Sequence, residues 1–186
     1  MDTTSRRAWS AARTLTDLGE LTARWLTGQL ASRPGYQAGC GPDEETTELL
    51  APLAAANRAG YLTTDSQPGC VEEAARATWR QRAAAQGYIG DPDLLRRIKQ
   101  AAAREGLLVL DGTRRPPWEI VTTVDGKPFT AFGEPLPGRH IRRQWAGVNR
   151  DALKALTGAR QVALVHPSWG PAGTRPLARV LQAVAR

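Results

Sequence analysis

Cysteine and histidine are nearly absent from this chain of 186 residues, and their scarcity excludes several chemistries at the outset. The two cysteines, Cys40 and Cys70, each stand beside glycine and lack the spacing of metal ligands. The two histidines, His140 and His166, have no partner nearby in sequence, so no metal site is expected. A disulfide between the cysteines is disfavoured in a reducing cytosol. No apolar run reaches the roughly 18 residues of a membrane-spanning helix. The first residues, M-D-T-T-S-R-R-A-W-S, lack the apolar core of a secretory signal, which makes the cytoplasm the expected compartment. Also missing are G-x-S-x-G, a P-loop, H-E-x-x-H and the dinucleotide fingerprint, leaving catalysis without a motif to support it.

What is present describes a folded domain. A hydrophobic content of 41% with regular apolar spacing is that of a globular chain, and the length suits one domain spanning residues 1–186. The net charge of +7 invites a nucleic-acid reading. Its arginines, however, are scattered as pairs (Arg6-Arg7, Arg96-Arg97, Arg114-Arg115, Arg142-Arg143) rather than drawn into a basic stripe or an aromatic-plus-basic motif. Six tryptophans are many for this length. Trp79, Trp118, Trp145 and Trp169 are expected in the core or facing a partner, and any one of them could instead cover a ligand's aromatic ring or cation.

Helical and extended patterns alternate along the chain. Leu15, Leu18, Leu21, Trp25 and Leu26 predict an amphipathic helix over about 15–31, ended by Pro34-Gly35. Asp43, Glu44 and Glu45 suit the start of a second helix, whose buried face is Leu49, Leu50, Leu53 and Ala56. Residues 78–89 are Ala-rich, which favours helix, yet alternate weakly as a strand does. Asp91-Pro92 starts a helix to about Glu105, and Leu107 to Leu110 is a short strand. Asp125-Gly126 joins Trp118 to Val124 and Lys127 to Phe132 as a hairpin. A helix over Asn149 to Leu156, a strand over Gln161 to Val165 and a closing helix over Pro176 to Val184 follow, with His166-Pro167-Ser168-Trp169-Gly170 as a loop after that strand. The expected fold class is α/β (α+β): a mixed β-sheet core flanked by helices.

The segment Asn57 to Pro68, N-R-A-G-Y-L-T-T-D-S-Q-P, carries the most information. Gly60 stands where a helix end needs a left-handed residue, Tyr61-Leu62-Thr63 suits a strand, and Asp65 to Pro68 reads as a hydroxyl-rich loop. With what precedes it, the run E-T-T-E-L-L-A-P-L-A-A-A-N-R-A-G-Y-L-T-T-D-S-Q-P resembles one segment of the C-terminal regulatory domain of eukaryotic methylenetetrahydrofolate reductases. That family has an E-T pair, an amphipathic helix, an N-R-x-G turn and L-T-x-x-S-Q-P at the same spacing. Weaker likeness covers most of the chain: Trp9 with Leu15-Thr16, Trp25-Leu26-Thr27-Gly28, Gln81-Arg82-Ala83 and Gln161 to Val165. The family's Q-K-A motif lies in a strand, which sides with a strand over 78–89. The reductase's catalytic barrel has no counterpart here, and Gly69-Cys70-Val71-Glu72-Glu73 replaces the family's Asn-rich stretch.

The resemblance implies a pocket for S-adenosylmethionine or S-adenosylhomocysteine, with Glu45, Thr46, Thr63 and Ser66 as ligand contacts and Thr122 as a further hydroxyl on a later strand. By ordinary chemistry Glu45 could accept from an ammonium or a ribose diol, or simply complement a helix dipole. Thr46 could donate beside free backbone amides that suit a ligand carboxylate, or merely cap. Thr63 and Ser66 could converge on one pocket, or Asp65 and Ser66 could simply bond nearby backbone in a self-satisfied turn. The expected function is therefore ligand binding by a free-standing sensor, paired as a homodimer as the family's domain pairs subunits. A second reading is an S-adenosylmethionine-consuming enzyme (alkyl transfer, cyclisation or lyase), since sulfonium carbons are already activated. A third is a basic module binding nucleic acid or protein.

Overall fold

Thirteen residues, Ala77–Ile89, form one long strand on which every other part of the sheet depends. The computed structural model describes residues 1–74 and 77–185. Its strands are β1 (Tyr61–Gln67), β2 (Cys70–Ala74), β3 (Ala77–Ile89), β4 (Leu108–Leu110), β5 (Glu119–Val124), β6 (Lys127–Phe132) and β7 (Arg160–Trp169). The order is β4-β7-β3-β5-β6, with β1 and β2 both paired to β3. Along one side of β3, β1 pairs with residues 84–89 and β2 with 77–81; along the other, β7 takes the C-terminal half and β5 the N-terminal part. The result is an α+β fold with a curled sheet. Every pairing among the described residues is antiparallel, which corrects the mixed sheet expected. The connections explain this: two residues join β5 to β6, far fewer than the dozen or more of a parallel crossover.

The strand reading of residues 78–89 holds against their helical propensity. Ala83, Ala84 and Ala85 are fully buried, and Ala84 and Ala85 are paired on both edges of β3. Neighbours on both sides outweigh an intrinsic preference of a few tenths of a kcal/mol per residue. Two segments expected as loops are strand instead. Asp65, Ser66 and Gln67 continue β1, and β7 runs on through His166 and Ser168 to Trp169, which pairs with Arg82.

Seven helices accompany the sheet among the described residues: α1 (Thr3–Ala11), α2 (Leu15–Leu26), α3 (Leu50–Arg58), α4 (Pro92–Arg104), α5 (Gly138–Gln144), α6 (Arg150–Gly158) and α7 (Thr174–Ala183). Thr14 and Asp17 form a capping box at the start of α2, and Asp91 caps α4 by accepting from the Asp93 N–H at 2.8 Å. The helix expected to follow Asp43 is split, with a 3-10 segment (Glu44–Leu49) leading into α3. Pro52 has no N–H to give the Glu48 carbonyl, so the chain before it takes the tighter i to i+3 turn. The helix expected over 15–31 stops at Leu26. α1 and α5 went unread because α1 buries only Ser5 and Trp9, and α5 only Ile141.

The larger core joins Trp9, Leu18, Leu53, Tyr61, Ala85, Trp145, Leu164 and Leu181; a smaller one joins Ala84, Leu110, Val121, Phe132 and Val165. Of the tryptophans expected in the core or facing a partner, Trp145 is fully buried, meeting Trp9 edge to face at 5.9 Å, and Trp118 is exposed. No helix among the described residues is long and apolar enough to cross a membrane.

β1 reaches its register on β3 only because residue 87 is glycine. A Cβ there would overlap the Leu62 carbonyl and stand 2.7 Å from Thr63 Cα. Gly87→Ala should destabilise the fold by about 2–3 kcal/mol. Gly158→Ala, where a Cβ meets nothing within 4 Å, should stay within about 0.5 kcal/mol of the parent. Urea unfolding of the two variants checks the contrast.

Candidate functional site

A bulge in β1 builds the site. Thr63 pairs with Gly87, Asp65 with Gln86 and Ser66 with Ala85, so Thr64 is an extra residue with no partner of its own. In a regular strand, residues three apart point to opposite faces. Here Thr63 and Ser66 oppose positions two apart in β3, and the bulge brings them to one face. Side chains fasten the distortion: the Thr64 hydroxyl donates to the Gln86 carbonyl at 3.3 Å, and the Gln86 amide donates to Asp65 at 3.0 Å. Asn57, buried at the end of α3, holds Thr63 from both sides. Its Oδ1 accepts the Thr63 N–H at 3.0 Å and its Nδ2 donates to the Thr63 hydroxyl at 2.6 Å.

The free edge of β1 is covered by a buried cation. Arg33 Nη1 donates to the Thr64 carbonyl at 3.0 Å and Nη2 to the Thr63 carbonyl at 3.3 Å. The guanidinium lies over the rings of both Trp25 and Trp145, whose centroids are 5.3 and 5.4 Å from Cζ. Only 6% of the residue is exposed, and Nε has no hydrogen-bond partner among the described residues. Burial pulls the Arg33 pKa below its ordinary value, opposed mainly by the charge of Asp65. Burying a cation outside a close ion pair costs several kcal/mol, partly offset by two ring contacts of about 0.5–2 kcal/mol each and two charge-assisted hydrogen bonds.

Trp25, Arg33, Thr63, Thr64 and Asp65 line a cleft of about 120 Å³ together with Thr22, Tyr36, Asp43, Thr46 and Ser66. Tyr36 meets Trp25 edge to face at 4.9 Å. Its phenol is pushed up to about 12, first by desolvation and then by the neighbouring Asp43 carboxylate. Among the described residues, Asp43 and Asp65 give the lining two carboxylates against the single cation Arg33, an acidic balance within a chain of net charge +7.

Thr46, Thr63 and Ser66, expected as ligand contacts from the sequence, meet in this cleft. Glu45 and Thr122 are not among its lining residues. Glu45 is exposed, and its carboxyl is raised by desolvation first and then by the charges of Asp43 and Glu72, which places it toward the β2 side. Thr122 is buried and donates to Gln67 Oε1 at 3.0 Å, one residue beyond Ser66. The free amides expected beside Thr46 are altered too: the segment is a six-residue 3-10 turn, and the Thr46 N–H is already given to the Asp43 carbonyl at 2.9 Å. Arg33 and Tyr36 escaped sequence reasoning. The segment S-R-P-G-Y looks like a polar link, and only packing distinguishes this arginine from the others. His166 lies on β7, its Nδ1 accepting from the Ser168 N–H at 3.2 Å. Among the described residues no group of three or more His, Cys, Asp or Glu side chains could hold a metal, and both cysteines are free thiols.

Two measurements test the geometry. Asn57→Ala leaves the buried Thr63 N–H without its acceptor and should cost about 2–3 kcal/mol in urea unfolding. The three tyrosines are all raised, chiefly by burial: Tyr36 and Tyr88 to about 12, and Tyr61 further. The folded protein therefore keeps phenol protons that the unfolded chain releases near pH 10. Stability should be intact below about pH 10 and decline as pH rises toward 12, with tyrosinate absorbance appearing together with unfolding.

Residues 4–186 match the family described as Domain of unknown function (DUF6919). No curated protein matches the chain.

Proposed function

We propose that this chain, which belongs to the DUF6919 family, binds S-adenosylmethionine or S-adenosylhomocysteine in the cleft between the 3-10 turn and β1. One observation carries the reading: Thr46, Thr63 and Ser66, from segments more than a dozen residues apart, line one cleft beside Trp25 and Tyr36. The reading takes the fold to be that of the reductase regulatory domain and the protein to act in the cytoplasm as a homodimeric sensor. Glu45 would meet the ligand at the rim, and Thr122 would act through Gln67.

The chemistry suits a sulfonium nucleoside. Hydroxyls can bond a ribose diol or purine nitrogens, and the aromatic edges offer stacking and cation–π attraction. Asp43 and Asp65 favour a cationic ligand over its neutral thioether product. The enclosed volume of about 120 Å³ is below the roughly 300–1,000 Å³ of typical small-molecule sites, so the occupant must widen the cleft or extend beyond its mouth.

Calorimetric titration tests this. S-adenosylmethionine should bind more tightly than S-adenosylhomocysteine, by about three- to tenfold at low salt, with Asp43→Asn narrowing the gap. Thr63→Val and Ser66→Ala should each weaken binding about tenfold. Absence of binding by both nucleosides would end the proposal. Mass spectrometry after incubation separates the two uses of the pocket, since a sensor returns S-adenosylmethionine unchanged and an enzyme converts it.

A further inference from the structure

We propose that Arg33 takes the carboxylate of the ligand's amino-acid end, which makes the cleft selective for nucleosides that keep an α-amino acid. The inference rests on the nucleoside reading above and deepens it. A guanidinium has five N–H donors in one plane, and Arg33 spends two on the Thr63 and Thr64 carbonyls. Its Nε is unpartnered, no carboxylate among the described residues forms an ion pair with it, and it lines the cleft. Its Cζ lies over the Trp25 and Trp145 rings, at 5.3 and 5.4 Å from their centroids. The donors it has left suit a carboxylate, which a guanidinium meets edge-on and in plane.

The surrounding charges choose among anions. Asp43 and Asp65 line the same cleft and repel a dianion such as a phosphate, yet they suit the ammonium and sulfonium of the same ligand. One buried cation flanked by two carboxylates complements an α-amino acid zwitterion attached to a sulfonium. The alternative carboxylate position, beside Thr46, has given its amide to the Asp43 carbonyl.

Two cations that differ only at the carboxylate decide the question: S-adenosylmethionine and its decarboxylated analogue, titrated calorimetrically into the intact chain. The analogue carries one more net positive charge, so the acidic lining alone would make it the tighter binder. With Arg33 on the carboxylate, the analogue should instead bind about 10- to 100-fold more weakly. Arg33→Met should bring the two affinities together, while Arg33→Lys should keep part of the preference. A purely structural arginine would weaken both ligands alike and leave their ratio unchanged, which overturns the proposal. If Arg33→Met does not fold, the parent protein's ratio still decides. Equal binding of both nucleosides by the parent refutes the role of Arg33 and leaves the nucleoside reading standing. Failure of both to bind removes the two together.

Discussion

The close approach of β1 to Gly87 is the contact on which the rest of the site depends. Without a side chain at that position, the Leu62 and Thr63 backbone settles onto β3 and an extra residue, Thr64, is accommodated beside it. The bulge turns a strand with hydroxyls on both faces into one that presents Thr63 and Ser66 together. It also leaves two carbonyls on an uncovered strand edge, and Arg33 takes both. Edge carbonyls ordinarily go to water or to another strand. Giving them to a buried cation couples the sheet edge to the Trp25 and Trp145 rings, and so to both α2 and the end of α5.

Charge is distributed with the same economy. The chain is basic, yet the cleft that gathers the hydroxyls carries more carboxylates than cations. Its one cation among the described residues, Arg33, is buried and held by carbonyls and rings, with no ion pair among those residues. Such a group is a poor choice for stability alone, because an apolar side chain could fill the same space without the desolvation cost. Two carbonyl hydrogen bonds and two ring contacts offset part of that cost.

Legibility in the sequence followed the range of the interactions involved. The cap at Asp91, the helix beginning near Asn149 and the Asp125-Gly126 hairpin rest on local backbone chemistry, and each was read near its observed place. The sheet's direction, the length of β7 and the extra strand β2 depend on partners far along the chain, and they were misread or missed. Thr46, Thr63 and Ser66, expected together from one recognisable run, line the same cleft. Arg33 was missed because a buried arginine and an exposed one are spelled alike. Thr122 was tied to the pocket through a loose match, and its hydroxyl is occupied by Gln67.

By itself the sequence determined the alternation of helices and strands, the lack of metal-ligand spacing and the concentration of hydroxyls around Thr63, since these follow from composition and neighbours a few residues away. Tertiary structure decided which hydroxyls share a face, because the bulge at Thr64 exists only in register with Gly87. It also decided that Arg33, thirty residues upstream of Thr63, is the cation of the cleft. Burial and ring stacking are properties of packed neighbours, and no local pattern encodes them.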